Sequence, residues 1–206
     1  PAEVEWVDRI DAAAGRLART VDRMLKLIDH KNFTQSLAVE SVDVDTLIRG
    51  AVDVLAPYLE KRGQSVEVVA TPGLAPVECD PDKIHDVLVN LLANAVKFTP
   101  DDQVIRVEAT DHAEGPGRGF VRVAVCDRGA GIAPEDQKFL FEPFFTGFDT
   151  LHHSSGDYQF NKRGIGLGLC LVKTFVELHG GRVEAYCPTD GGGSVFAFLL
   201  PRDRPS

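Results

Sequence analysis

Hydrophobic residues recur near the start of the chain at spacings that alternate between three and four. They are Val7, Ile10, Ala14, Leu17, Val21, Met24 and Ile28, with charged residues at the outer positions. This heptad pattern predicts a helix with one apolar seam, which is typical of a helical bundle. Such a seam packs against a second helix or a second subunit, and folding back onto its own domain is the alternative. We therefore expect a long N-terminal helix over residues 1–33 and association of chains through it.

Beyond residue 33 the chain alternates between strand-like and helix-like segments. Alternation of hydrophobic and polar residues predicts strands or short extended pieces at 36–40, 65–70, 77–79, 104–109, 120–126, 182–187 and 194–200. Apolar residues at helical spacing predict helices at 43–62, 81–98, 134–140 and 169–178. Asp43 or Asp45 is expected to cap the first helix, and Asp80 followed by Pro81 to begin the second. Pro57 lies inside the first helix, where a kink or a break is expected.

These segments do not repeat as βαβ units, so a doubly wound parallel sheet is disfavoured. They predict an α+β fold, a two-layer sandwich with a mixed or antiparallel sheet and helices on one face, over residues 36–206. A polar stretch at 146–163 has no clear period. Long stretches of this kind inside a compact domain are usually lids or binding loops, and we expect a lid here.

The second long helix carries a polar stripe on an otherwise apolar surface. Asn90, Asn94 and Lys97 stand at positions i, i+4 and i+7, so they lie on one side of the helix. Burying an amide without a hydrogen-bond partner costs about 1 to 3 kcal/mol, so the stripe is expected to face other protein groups or a ligand. Amide oxygens suit Mg²⁺, and the lysine ammonium suits phosphate. Anchoring of neighbouring loops by the asparagines is the alternative, and these residues alone leave it open.

Two glycine-rich segments carry further candidate chemistry. Asp127 ends a hydrophobic strand and begins the segment DRGAG at 127–131. Its carboxylate can accept a hydrogen bond from an amine, or it can simply open a glycine turn. The segment GIGLG at 164–168 stands directly before a helix, where exposed backbone N–H groups can hold phosphate. It lacks the lysine and serine or threonine of a P-loop and the preceding strand of a dinucleotide fold.

Composition and charge narrow the possible partners. The chain has 206 residues, 44% of them hydrophobic, which is enough for a sizeable core. Its net charge of −9 argues against a general nucleic-acid or anionic-membrane binder, since both need a basic face. Any phosphate site must therefore be local.

Cysteine usage and the ends of the chain bear on location. Cys79, Cys126, Cys170 and Cys187 are widely spaced and lie in or beside apolar runs, which favours buried free thiols in a reducing compartment. No apolar run is long enough to span a membrane and no signal peptide is present, so we expect a cytoplasmic domain. The chain begins at Pro1. We expect it to be a piece of a longer protein whose membrane or sensor segments, if any, lie upstream.

Taken together, four segments resemble the ATP-binding domain of sensor histidine kinases, within the superfamily that also holds gyrase, Hsp90 and MutL. In chain order they are similar to the N box, the first glycine box, the F box and the second glycine box of that family: NLLANAVKFT at 90–99, DRGAG at 127–131, FEPFF at 141–145 and GIGLGL at 164–169. The F box and the segment VKTFVELHGG at 172–181 favour the kinases over their relatives. The resemblance covers residues from about 36 to 201 and implies a Bergerat-type ATP-binding fold.

The resemblance also implies roles for particular residues. Asn90 and Asn94 would hold the Mg²⁺ that bridges the phosphates of ATP, Lys97 would contact phosphate, and Phe98 would pack on the nucleotide. Asp127 would accept from the adenine amino group, and Ser194 would help to hold the base through water. Backbone or side-chain contacts to the nucleotide are implied for Gly129, Gly131, Ile132, Phe144, Gly164, Gly166, Leu167 and Gly168. Lys162 and Arg163 could reach the phosphates from the lid, or be a solvated basic pair.

The implied reaction is transfer of the γ-phosphoryl group of ATP to a histidine, for relay to a response regulator. In the family that histidine lies on the first helix of a dimerisation hairpin and is followed by a carboxylate. None of the six histidines in this sequence has that setting. The heptad helix matches the second helix of the hairpin instead, so we expect the acceptor to lie outside this chain. A scaffold that binds nucleotide without catalysis, and an ATPase of the gyrase or Hsp90 type, are the alternatives.

Overall fold

A computed structural model of the chain describes residues 14–15, 21, 37–113, 119–147, 166–189 and 192–202. The chain divides into two compact units, 1–36 and 37–206. In the first unit, Ala14, Gly15 and Val21 are helical. The rest of the expected heptad helix, and the association of chains through it, lie outside the described residues.

The second unit contains seven strands, three α-helices and one short 3₁₀ turn in its described part. The strands are β1 (Glu40–Val42), β2 (Ser65–Ala70), β3 (Val77–Cys79), β4 (Val104–Ala113), β5 (Gly119–Cys126), β6 (Arg182–Tyr186) and β7 (Val195–Pro201). The helices are α1 (Val44–Lys61), α2 (Pro81–Phe98) and α3 (Gly168–Leu178), and the 3₁₀ turn is Gln137–Phe139.

Five strands form one mixed sheet in the order β2-β4-β5-β7-β6, and β1 pairs with β3 in a separate antiparallel pair. Strand β2 runs parallel to β4, while the other pairs in the large sheet are antiparallel. Helix α2 lies between α1 and α3 and contacts both, so the helices form a single layer against the sheet. The predicted α+β sandwich with a mixed sheet is confirmed.

The core lies between this helix layer and one face of the sheet. Alternation places Ile105, Val107 and Ala109 of β4 on that face, and all three are fully buried. Their register partners on β5 include Val123 and Val125, which are also buried. The helices pack against this face with their buried apolar residues, which in α2 are Ile84, Val87, Leu88, Leu91, Leu92, Ala95 and Val96.

Long charged side chains cover the opposite face of the sheet. Ala124 and Ala197 lie side by side there and are nearly inaccessible to solvent. Glu184 lies between two arginines, with Arg122 Nε at 3.5 Å and Arg182 Nε at 3.6 Å from its carboxylate oxygens. Because the aliphatic parts of the arginine side chains cover these small residues, this face of the sheet is shielded from water without a second layer of helices.

Helices α2 and α3 run antiparallel, as contacts at the two ends of α3 show. At one end Gly168 begins α3 beside Asn90 of α2. At the other end the N–H of Asp80 donates to Nε2 of the buried His179 at 3.0 Å, and Nδ1 of that ring lies 2.6 Å from the carbonyl oxygen of Phe175. Since Nε2 accepts, Nδ1 carries the proton, and the neutral ring fixes the register of the two helices.

Several sequence expectations need correction. Helix α1 is continuous through Pro57, so no break occurs; the proline lies on the exposed side, where water can satisfy the carbonyl that loses its donor. The first strand is β1, two to four residues later than the expected 36–40, because it is defined by pairing of Val42 with Val77. The helix expected at 134–140 is only the 3₁₀ turn Gln137–Phe139.

The packing predicts a contrast between two valines on helices of the same layer. Val87 on α2 is fully buried and Val54 on α1 is 51% exposed. Val87→Ala should lower the free energy of unfolding by about 1.5 to 3 kcal/mol through lost burial and a residual cavity. Val54→Ala is the matched control and should change it by less than about 0.5 kcal/mol. Urea denaturation measures both, and equal losses would contradict this assignment of the core.

Candidate functional site

The start of α2 is fixed by its capping residue. The carboxylate of Asp80 accepts from the N–H of Lys83 at 3.2 Å and from its ammonium at 2.7 Å, and Pro81 occupies the first helical turn. Burial alone would raise the pKa of Asp80, but the hydrogen bonds and the charge of Lys83 outweigh it and lower that pKa. The predicted cap is confirmed, and it sets where the polar stripe of α2 begins.

The polar stripe of α2 faces the start of α3 at its upstream end. Asn90, Asn94 and Lys97 are all half-buried. The Asn90 side chain donates through Nδ2 to the carbonyl of Asp86 at 2.8 Å. Its Oδ1 lies against Gly168, where a Cβ would come within 2.9 Å of that oxygen. The structure therefore presents an amide oxygen of α2 at the N-terminus of α3.

Pairing of β5 with β7 places Asp127 beside Ser194. The register aligns Cys126 with Val195, and the next residues on each side are joined by a hydrogen bond from the N–H of Asp127 to the carbonyl of Ser194 at 2.9 Å. Oδ1 of Asp127 accepts from the N–H of Gly129 at 2.8 Å and from the N–H of Ser194 at 3.2 Å. Oδ2 accepts from the Ser194 hydroxyl at 2.5 Å.

These contacts decide what the Asp127 carboxylate can still do. The bond from Gly129 shows that the aspartate does open a glycine turn, which was the alternative interpretation of this segment. Among the described residues, two N–H groups use both acceptor positions of Oδ1, whereas Oδ2 takes one hydroxyl and keeps one acceptor position. The turn therefore orients the carboxylate and leaves Oδ2 able to accept one more hydrogen bond.

Burial raises the pKa of Asp127, and the hydrogen bonds from Ser194 and Gly129 oppose that rise without cancelling it. The side chain is only 7% exposed. Because the folded-state pKa lies above the unfolded one, this group favours folding when protonated at low pH, and its contribution declines as the pH rises through that window. The carboxylate is thus held at an energetic cost, which is common at functional sites.

Close approach explains two of the glycines. At Gly129 a Cβ would come within 2.7 Å of the carbonyl oxygen of Phe98, so the Asp127 turn packs directly on the end of α2. Gly166 has a φ of +75°, and a Cβ there would meet the backbone of Phe144 and Phe145. The carbonyl of Gly166 accepts from the N–H of Phe144 at 2.9 Å, which ties the F box to the segment before α3.

The remaining expected residues fall at different places. The N–H of Ile132 donates to Sγ of Cys187 at 3.1 Å, beside Gly131. Phe144 is 58% exposed with a φ of +65°, and Leu167 is buried. Lys97 Nζ lies 5.1 Å from the ring centroid of Phe98. Lys162, Arg163, Gly164 and most of the expected lid at 146–163 lie outside the described residues.

The site residues therefore collect along one helix. Gly129 meets α2 at Phe98 and Gly168 meets it at Asn90, which are about 12 Å apart at 1.5 Å per residue. A buried carboxylate marks one end of this line and a helix N-terminus the other, with two amides and an ammonium between them. This arrangement suits an elongated ligand with an amine at one end and phosphates at the other.

The cysteines are free, as expected, but they are not all buried. Burial raises the pKa of Cys79 to about 11, and it raises that of Cys126 as well, so both are neutral thiols. Cys187 is exposed, which contradicts the expectation for this residue, because it follows the end of the edge strand β6. Across the described ranges, no group of three or more His, Cys, Asp or Glu side chains could hold a metal ion.

Sequence reasoning missed the contacts of Arg62, Gln64 and His179. All three side chains are buried and reach other segments of the fold. For Arg62 and Gln64 the available signal was Pro100, which deprives the C-terminus of α2 of a backbone donor and so requires a substitute. The contact of His179 with Asp80 joins residues 99 positions apart and had no local signal.

Comparison of folds identifies the class of protein. The chain superposes on full-length ShkA, solved in complex with AMPPNP, with a TM-score of 0.78 and 25% identity, over the whole of this chain and 40% of that one. It shares its fold with histidine kinase ThkA, solved in complex with the response regulator protein TrrA, at a TM-score of 0.70 and 22% identity, over 94% of this chain and 50% of that one. The fold is that of histidine kinase catalytic domains.

Comparison of sequences gives the family. Residues 79–204 match the family of histidine kinase-, DNA gyrase B- and HSP90-like ATPases, and the chain belongs to that family. It is 31% identical over 188 residues to the sensor histidine kinase ZraS of Escherichia coli K12, across 91% of this chain and 36% of ZraS. It is 29% identical over 199 residues to the histidine protein kinase DivJ of Caulobacter vibrioides, across 96% and 31%. The chain thus spans about a third of the length of these curated relatives.

Within the residues described, no helix combines the length and the apolar character needed to cross a membrane.

The geometry around Asp127 predicts the effect of its serine partner. Ser194→Ala removes the hydroxyl that donates to Oδ2 and should raise the pKa of Asp127 further, since that bond favours the charged form. Ser194→Thr keeps the hydroxyl and is the control. Carboxyl-carbon NMR titration of the folded protein measures both. An unchanged or lower pKa in Ser194→Ala would show that the hydroxyl does not stabilise the carboxylate.

Proposed function

We propose that this chain is the ATP-binding catalytic part of a sensor histidine kinase. It transfers the γ-phosphoryl group of Mg-ATP to a histidine on a dimerisation helix outside this sequence, for relay to an aspartate of a response regulator. The main support for this proposal is the arrangement of the site residues along α2, with the Asp127 carboxylate at one end and the start of α3 at the other. Family membership and the kinases among its relatives support the same conclusion.

The Asp127 end of the site reads the base. Oδ2 keeps one acceptor position, which the exocyclic amine of adenine fills. Guanine carries a carbonyl at the corresponding ring position, so it would set an acceptor against a carboxylate. Gly129 and Gly131 leave room for the base and sugar next to the backbone, and Ile132, Phe98 and Phe144 supply apolar surface. Ser194 holds the carboxylate directly and reaches the base through it or through a water.

The α3 end of the site holds the phosphates. Leu167, the residue before this 11-residue helix, makes no side-chain hydrogen bond to it, so within the described residues its first N–H groups and its positive dipole end are available to a ligand. Gly166, Leu167 and Gly168 bring the backbone to that point. We assign Gly164, Lys162 and Arg163, which lie outside the described residues, to the same phosphates. Lys97 stands about 10 Å along α2 from Asn90, next to Phe98, and its long side chain brings the ammonium to the phosphates from that side.

The residues at this end also fit a magnesium ion. Asn90 spends its Nδ2 on the carbonyl of Asp86, so its Oδ1 is the atom turned toward α3. Asn94, one turn along the stripe, offers a second amide oxygen, and Mg²⁺ takes oxygen ligands together with substrate phosphates. When bound, the ion neutralises charge that develops on the transferring phosphoryl group. The chain's own part is to hold the triphosphate in line with the incoming histidine.

We further propose the setting in which this site works. The heptad segment at 1–33 is the second helix of the dimerisation hairpin, and 36–206 is the catalytic domain with a lid at 146–163. The full-length protein then forms a homodimer through that helix and passes the phosphoryl group to a receiver domain, with this domain in the cytoplasm. No nucleic-acid partner is expected at a net charge of −9.

Adenine recognition gives the first test. Asp127→Asn keeps the size of the side chain but places an N–H₂ group where an acceptor is needed, so the affinity for Mg-ATP should fall by about tenfold or more. Asp53→Asn on α1 removes an exposed carboxylate and should leave the affinity unchanged. Isothermal titration calorimetry measures both. Equal affinities of wild type and Asp127→Asn would remove this residue from the base pocket.

Phosphoryl transfer gives the second test. With γ-labelled ATP and Mg²⁺, the isolated chain should incorporate no label, and it should label an added helical hairpin that carries an acceptor histidine. Lys97→Ala should reduce that transfer by about tenfold or more, because positioning and charge neutralisation supply most of the catalysis. Label on a histidine of the isolated chain would refute the external acceptor. Steady hydrolysis without phosphohistidine would favour a gyrase- or Hsp90-like ATPase, and binding without turnover a scaffold.

A further inference from the structure

The end of α2 that carries Lys97 and Phe98 lacks its normal hydrogen-bond donor. In an α-helix the carbonyl of residue i accepts from the N–H of residue i+4. For Val96 that residue is Pro100, which has no N–H and forces the residue before it out of helical geometry. Thr99 is indeed extended, with a ψ of 135°, and its N–H donates to the carbonyl of Ala95 at 2.9 Å. The backbone ladder therefore stops one residue short of Val96.

Two side chains from the turn between α1 and β2 replace the missing donor. Nη1 of Arg62 and Nε2 of Gln64 both donate to the carbonyl of Val96, the second at 3.2 Å. Both side chains also donate to the carbonyl of Thr99, Arg62 through Nη2 at 2.9 Å and Gln64 through Nε2 at 2.8 Å. Gln64 Nε2 lies 3.1 Å from the carbonyl of Pro100 as well.

Burial and charge make this cap rigid. Arg62 is 8% exposed and Gln64 is 6% exposed, which is unusual for both residue types. Asp101 holds the guanidinium from the solvent side, with Oδ1 2.7 Å from Nη2 of Arg62. The positive charge lies at the C-terminus of α2, where the helix dipole favours it. The last turn of α2 is thus fixed by atoms that are more than thirty residues away in sequence.

We propose that Arg62 and Gln64 are positioning residues for the nucleotide site. They fix the last turn of α2 and so aim the Lys97 ammonium at the phosphates, without contacting the nucleotide themselves. The same turn carries the Phe98 carbonyl against which Gly129 packs, so its position also sets the distance between the stripe and the base pocket. This inference rests on the proposed function, since it assigns a role relative to bound ATP.

Gln64→Met separates positioning from stability. Oε1 of Gln64 has no hydrogen-bond partner among the described residues. Methionine has a similar length, and replacing Gln64 with it removes this buried unsatisfied oxygen at the same time as the Nε2 donor, so the two effects on stability oppose each other. The midpoint of thermal unfolding should therefore move by less than about 4 °C. The affinity for Mg-ATP should nevertheless fall by about fivefold, because the carbonyls of Val96 and Thr99 each lose a donor.

Arg62→Lys is the second variant and has a matched control. Lysine keeps the charge but cannot reproduce the guanidinium fork, so the affinity should fall by about tenfold. Arg49→Lys changes an arginine of the same helix that is 66% exposed and paired with Asp45 four residues away. That control should change the affinity by less than about twofold.

A double-mutant cycle decides whether the effect passes through Lys97. Each variant is measured by calorimetry with Mg-ATP in the wild type and in Lys97→Ala. If the cap aims the ammonium, the effect of Gln64→Met should shrink to less than about twofold once that ammonium is gone. Full additivity of the two losses, or an unchanged affinity in Gln64→Met, would overturn the positioning role. A wild-type chain that binds no Mg-ATP would instead overturn the proposed function. If Arg62→Lys does not fold, the Gln64→Met cycle is sufficient alone.

Discussion

Under the proposed function, helix α2 is a core element and a wall of the nucleotide site at the same time, and this constraint shapes the rest of the domain. Its apolar stripe packs between α1 and α3 and against the sheet, so the helix cannot rotate without exposing the core. The stripe of Asn90, Asn94 and Lys97 is therefore aimed by burial of the opposite face. Each end is then held by a contact from elsewhere, His179 at the N-terminus and Arg62 at the C-terminus. A site built on such a helix inherits the rigidity of the core.

Local signals allowed much of this fold to be predicted from the sequence. The Asp80 and Pro81 start of α2 and the bounds of β2 and β3 follow from capping, alternation and turn residues, all of which act over a few positions. Where tertiary pairing decides, prediction was less accurate. Strand β1 begins at Glu40 because that residue pairs with Cys79 of β3. Helix α1 tolerates Pro57 because that side of the helix is exposed to solvent. Neither the strand pairing nor the exposure of that helix face can be inferred from a segment of ten residues.

The candidate site shows the same division between local and non-local signals. Spacing alone placed Asn90 and Lys97 on one stripe, and family resemblance grouped it with Asp127 and the glycines. The hydroxyl that Ser194 gives to Asp127 follows from register between β5 and β7, and the side-chain cap on α2 joins residues far apart in the chain. In the proposed nucleotide site, the amide dipoles at the start of α3 would provide positive potential without net charge, so the net charge of −9 does not argue against a polyanion there.

The hydrogen bonds of His179 have a chemical consequence beyond helix register. A histidine nitrogen attacks phosphorus through its in-plane lone pair, and in this ring that pair at Nε2 already accepts from the backbone N–H of Asp80. The other nitrogen carries a proton directed at the carbonyl of Phe175. Neither atom is nucleophilic while the helix pair is intact. A domain whose proposed product is phosphohistidine thereby keeps this imidazole of its own inert, and folding itself protects it from becoming a substrate.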